Sequence, residues 1–96
     1  MSAADRKAVR ARLHGRVQGV WFRAWACEQA GALGLDGWVR NRADGTVEAV
    51  FAGPPDMVDR MVVLCRCGPP LAKVSNVRVE PEAGPVTPGF HAAPDG

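Results

Sequence analysis

Apolar and polar residues alternate from Ala8 to His14, with Val9, Ala11 and Leu13 on one face and Arg10, Arg12 and His14 on the other. A period of two predicts a half-buried strand. After turn residues around Gly15 to Gly19, the apolar positions Phe22, Trp25, Ala26, Ala30 and Leu33 recur at spacings of three and four. They form one helical stripe, and Gly34 is its stop. Gly37 to Arg42 and Thr46 to Ala52 are two extended runs joined by Ala43-Asp44-Gly45, a hairpin signal because Asp and Gly tolerate positive φ. Gly53-Pro54-Pro55-Asp56 breaks the extended pattern, and Val58, Met61, Val62 and Cys65 supply a second helical stripe ending before Gly68-Pro69-Pro70. A strand from Lys73 to Glu80 follows, with Val77 and Val79 on one face. The Pro- and Gly-rich segment from Gly84 onward offers one short strand, Phe90 to Ala92.

The order strand, helix, strand, strand, helix, strand predicts an α+β, ferredoxin-like β-α-β-β-α-β sandwich. Two helices cover one face of an antiparallel sheet, and a short extra strand is added at the C-terminus. The right-handed crossover rule sets the first and third strands side by side at the centre. The expected organisation is a disordered N-terminus over residues 1–7, one domain over 8–93 and a tail over 94–96. No repeat or low-complexity tract interrupts it.

Composition narrows the class. A chain of 96 residues has room for one core, and 47% hydrophobic with 23% charged residues fits a globular domain, neither disordered nor membrane-spanning. The net charge of +2 is too small for a nucleic-acid face, yet residues 1–48 hold 8 basic and 5 acidic groups. A small anion bound in the first half is the better match. RNA binding is disfavoured further because the third strand carries Phe51 alone, without an aromatic pair to stack bases. Cys27, Cys65 and Cys67 cannot all pair internally, and no apolar signal segment precedes Asp5, Arg6 and Lys7. Free, idle thiols in a reducing cytoplasm are therefore expected. Cys65-x-Cys67 lacks zinc-ligand arithmetic, and structural or surface roles are expected for His14 and His91.

Residues 13–23, Leu-His-Gly-Arg-Val-Gln-Gly-Val-Trp-Phe-Arg, set a glycine-flanked loop between a strand and a helix N-terminus. Successive backbone N–H groups in such a loop can converge on one oxyanion, and the helix adds unpaired donors and its positive dipole end. Arg23, in the first helical turn, can grip a tetrahedral anion bidentately. A cation there opposes the dipole by about 0.3–1 kcal/mol, a conflict that a bound anion relieves. The loop lacks the Lys-Ser/Thr of a nucleotide P-loop, so ATP and GTP are not expected. Arg16 reads as an exposed charge, and Trp21 and Trp25 as core or rim packing. Asn41 has low strand propensity, so its position calls for a reason. Either it belongs to the turn and bonds its own backbone, or its amide holds a water beside a bound phosphoryl group. The residues alone leave both readings open.

Leu13-x-Gly15-x-Val17-Gln18-Gly19-Val20-x-Phe22-Arg23 resembles the phosphate-loop signature of the acylphosphatase family. Gly37-Trp38-Val39-Arg40-Asn41, followed by Gly45-Thr46-Val47 and Gly53, resembles its second signature, and looser similarity runs through Gly68-Pro69 and Ala72-Lys73-Val74. The resemblance implies an acylphosphate phosphohydrolase that splits the carboxyl–phosphate bond of small acyl phosphates. It makes Arg23 and Asn41 catalytic. The phosphate is held by Arg23 and the backbone amides of Arg16, Val17, Gln18, Gly19 and Val20, Asn41 orients the water, and neither metal nor cofactor takes part. The implied partners are a small acyl phosphate and inorganic phosphate as product or inhibitor, with no nucleic acid, no membrane and a monomeric state. The alternative is a non-catalytic acylphosphatase-like module that binds phosphate or a protein partner. Neither motif specifies a pocket for the acyl group, and the three cysteines take no role from the resemblance.

Overall fold

The computed structural model describes residues 5–96. Residues 1–4, within the N-terminal segment expected to be disordered, lie outside the described residues. The elements are β1 (Lys7–Arg16), α1 (Phe22–Ala32), β2 (Asp36–Asn41), β3 (Val47–Gly53), α2 (Pro55–Cys67), β4 (Lys73–Pro81) and β5 (Phe90–Ala92). They form one five-stranded sheet in the order β4-β1-β3-β2-β5. β1 and β3 are central and adjacent, as the crossover rule requires. The first four strands pair antiparallel, whereas β5 lies parallel to β2. The added strand thus makes the sheet mixed. Phe90 brings it there by stacking on Phe51 of β3, with ring centroids 5.4 Å apart.

The core follows the two periodicities. Val9, Ala11 and Leu13 of β1 and Val47, Ala49 and Phe51 of β3 meet Phe22, Ala26 and Ala30 of α1 and Val58, Met61 and Cys65 of α2. Trp25 and Leu33 pack against this cluster half-buried. Leu35, between α1 and β2, is buried as well. On β4 Val77 is buried, but Val79 two residues on is 40% exposed on the edge strand. α2 starts with Pro55 in its first turn, where the missing N–H costs nothing, and Asp56 there suits the dipole.

β3 departs from simple alternation, since all seven of its residues are buried. The face away from the helices is therefore covered too, and Glu48 explains how. Its carboxylate accepts from Arg10 at 3.0 Å, from Arg40 at 2.8 and 3.0 Å and from Arg42 at 3.3 Å, with Arg12 at 3.5 Å. Arg10 and Arg40 also lie over the Trp38 ring. Burial opposes ionisation of Glu48, yet hydrogen bonding and charge from Arg40, with the charges of Arg10 and Arg42, hold its carboxyl below the usual range.

Candidate active site

The loop from Val17 to Trp21 leaves β1 and enters α1. Gly15 sits at a register shift in the β1–β4 ladder with φ 115°, and a Cβ there would collide with the Lys73 carbonyl oxygen. Gly15 thus lets β1 bend into the loop. Gly19 has φ 72° and open space around its missing side chain, so it supplies a left-handed turn and leaves the backbone bare. Trp21, the N-cap of α1, is also left-handed at φ 65°. No side chain caps this helix and its first turn holds no acidic residue. Its first N–H groups and positive dipole end are consequently uncommitted to any side chain.

Beside that helix end lies a cavity of about 500 Å³ lined by Val17, Gly19, Trp21, Phe22, Arg23, Ala24, Cys27, Asn41 and Ala92. Three of the expected site positions with polar or open groups, Gly19, Arg23 and Asn41, therefore share one cavity. Arg16 ends β1 exposed, opposite Lys73. Val17 and Val20 are core residues at 1% and 5% exposure, so only their backbones are free for a ligand. Gln18 turns its side chain the other way. Its Nε2 donates at 2.8 Å to the carbonyl oxygens of both Arg42 and Thr46. The loop is tied by this amide to the hairpin that carries Asn41, a tether that a motif reading of Gln18 does not reveal.

Asn41 is the last residue of β2, paired with Val47, and its side chain makes no hydrogen bond among the described residues. The turn reading is not what the backbone adopts. Asp44 holds the turn instead, accepting from the Thr46 hydroxyl at 2.6 Å and the Thr46 N–H at 3.0 Å, and these bonds keep its carboxyl below the usual range. The C-terminal segment closes the site from another side. Beyond β5 the chain runs on beside β2, with Ala93 donating to Val39 and Gly96 to the Asn41 carbonyl. Residues 94–96, expected as a tail, are thereby held at the site. Asp95 reaches Arg23 at 3.2 Å, placing a carboxylate on the guanidinium.

Trp21 forms the rim at 77% exposure, and Trp25 packs edge-on to Phe22. All three cysteines are free thiols. Burial pushes Cys65 up to about 12 and raises Cys27 as well, so neither is a thiolate near neutrality. His14 on β1 and His91 on β5 are separated by β3 and β2. Among the described residues no three His, Cys, Asp or Glu side chains cluster as a metal-ligand set, and no helix is long and apolar enough to cross a membrane.

Comparison with known proteins places this chain in a family. The family model described as Acylphosphatase matches residues 9–92. The chain is 57% identical to the acylphosphatase of Rhizorhabdus wittichii over 97 residues, covering 98% of each, and 56% identical to that of Rhodospirillum rubrum, covering 92% of this chain and 97% of the relative. The structure of an acylphosphatase from Coxiella burnetii superposes with a TM-score of 0.91 at 33% identity, covering 97% of this chain and 100% of that one. A loop, a helix end, an arginine and an asparagine gathered in one cavity are here found in a chain that belongs to the acylphosphatase family.

Proposed function

We propose that this chain is an acylphosphatase whose phosphoryl site is the cavity joining the 16–20 loop, Arg23 and Asn41. The observation that carries this reading is the meeting of Gly19, Arg23 and Asn41 in that cavity, at an uncapped helix N-terminus, in a member of this family. The loop amides and the Arg23 guanidinium grip the phosphoryl oxygens. These donors suit the charge that a loose phosphoryl-transfer transition state spreads over the peripheral oxygens. The Asn41 amide holds the attacking water in line without adding a repelling charge.

The water oxygen bonds to phosphorus while the phosphorus–acyl oxygen bond breaks, and the electron pair leaves with the carboxylate. Its conjugate acid has a pKa near about 4, by analogy with Asp and Glu, so departure needs no general acid. The water's proton passes to a phosphoryl oxygen. That route fits a cavity lined by Arg23 and a Cys27 thiol raised by burial, with the adjacent Asp95 carboxylate engaged by Arg23. The small acyl phosphate is the partner, inorganic phosphate the product and competing anion.

Hydrolysis of acetyl phosphate by the parent, Arg23→Ala and Asn41→Ala, in excess EDTA, tests the assignment. Loss of a charge-assisted contact worth about 1.5–3 kcal/mol lowers kcat/KM at least about ten-fold in Arg23→Ala. Asn41→Ala should lose kcat while keeping KM. A folded parent that binds phosphate without turnover would make the chain a binding module instead.

A further inference from the structure

The cavity holds more than a phosphoryl group requires. At about 500 Å³ it lies within the range of small-molecule sites, and most of its wall is apolar. Trp21, Ala24 and Cys27 line it at intervals of three residues, a stripe running along α1 away from the helix N-terminus. Three residues per step over two steps extend it about 9 Å along the helix axis. Ala92 of β5 belongs to the same wall.

Two members of this stripe, Trp21 and Ala24, lie on the side of the helix away from the core, while Cys27 packs against the core's edge. Phe22, Ala26 and Ala30 face the sheet, while Trp21 and Ala24 are exposed and Cys27 is half-buried. An amphipathic helix ordinarily turns charge outward there. Trp21 also stays 77% exposed on a left-handed backbone, a strained conformation for a non-glycine residue that clusters at ligand sites. One exposed aromatic is unremarkable on any protein surface. A stripe that lines the same cavity as Arg23 and Asn41 is different, because it offers apolar wall to whatever is attached to a phosphoryl group bound there.

We propose that Trp21, Ala24, Cys27 and Ala92 form an acyl subsite that favours acyl phosphates with an apolar chain or ring over acetyl phosphate. The proposal rests on the phosphoryl-site reading above. The phosphate end supplies anchorage common to all substrates, and the apolar groove supplies discrimination between them. Cys27 acts as a neutral wall group.

The test is kcat/KM for acetyl, butyryl and hexanoyl phosphate, whose carboxylate leaving groups differ little in basicity, so the series reads contact with the acyl chain. Each methylene buried raises kcat/KM by up to about four-fold, from about 0.8 kcal/mol of transfer energy. Trp21→Gly, a residue at ease with φ 65°, should flatten the series, and Trp21→Phe should restore most of the slope. Calorimetric binding of methyl- and hexylphosphonate gives a readout independent of turnover, with the hexyl compound expected to bind tighter to the parent but not to Trp21→Gly. Hydrolysis of all three substrates at equal kcat/KM, with equal phosphonate binding, would overturn the subsite and leave the hydrolase intact. A slope kept in full by Trp21→Gly would overturn the part given to Trp21. Graded phosphonate binding without any turnover would support the subsite while refuting the hydrolase reading.

Discussion

Replacing Gln18 by Met keeps the reach and apolar stem of the side chain and deletes two donors. Each donor makes a 2.8 Å bond, one to the Arg42 carbonyl and one to that of Thr46. Neither carbonyl is orphaned by the change. Gly45 still donates to Arg42 at 3.1 Å, and Arg42 still donates to Thr46 at 2.8 Å. The cost is thus the net worth of two hydrogen bonds, about 0.5–1.5 kcal/mol each, or about 1–3 kcal/mol of unfolding free energy in urea. Catalysis should suffer beyond this. The amide is the link between the phosphate loop and the strand end that carries Asn41, and a misplacement of about 1 Å between reacting groups can cost about a hundred-fold in rate. A fall of about ten-fold or more in kcat for acetyl phosphate, with unchanged circular dichroism, is expected of Gln18→Met. Parental kcat in a variant that had lost stability would show that the tether stabilises the fold without setting the site, and that step of the reasoning would be refuted.

Two further outcomes follow from carboxylates. Asp95→Asn removes a competitor from Arg23, and an exposed pair of this kind is worth about 0.2–1 kcal/mol. Inhibition by inorganic phosphate should tighten about 1.5- to 5-fold at low ionic strength, with the gap closing in about 1 M salt, whereas weaker inhibition would make Asp95 a support for Arg23. Glu48→Gln leaves arginines facing a neutral amide. Breaking a fully buried pair costs about 3–5 kcal/mol, and because Arg10, Arg40 and Arg42 are about a third exposed, about 2–3 kcal/mol is expected from urea midpoints at pH 7. The Glu48 carboxyl is held low in the folded state, so the native protein binds fewer protons there than the unfolded chain. Its stabilising contribution is complete above the ordinary carboxylate range and fades as pH falls through the lowered folded value. The parent and Glu48→Gln should converge in acid. A gap that persisted at pH 3 would place the effect elsewhere.

What the sequence made legible were features carried by near neighbours. Alternation from Val9 to Leu13 and the stripe from Phe22 to Ala30 each repeat a local period, and both faces are where that period puts them. Glu48 was not legible because its burial depends on arginines of β1 and β2, which meet it only in the sheet. The direction of β5 was equally hidden, since three residues carry no orientation and Phe90 finds Phe51 through the core. At the site, Arg23, Gly19 and Asn41 stood out through their motifs. The side-chain partners of Gln18 and the arrival of Asp95 did not, because each contact joins segments distant in the chain. The apolar stripe Trp21-Ala24-Cys27 does leave a trace at spacing three, masked by the stronger core stripe beside it.

The central place of β1 has a consequence for the nascent chain. β1 is synthesised ahead of both its partners, which begin only at Val47 and Lys73. Until both have emerged, it offers two unpaired edges and the apolar row Val9, Ala11 and Leu13, the combination that invites pairing between molecules. Arg10 and Arg12 alternate with that row, and like charges disfavour stacking one such strand on another. The same guanidinium groups that later enclose Glu48 thus serve earlier as gatekeepers against aggregation.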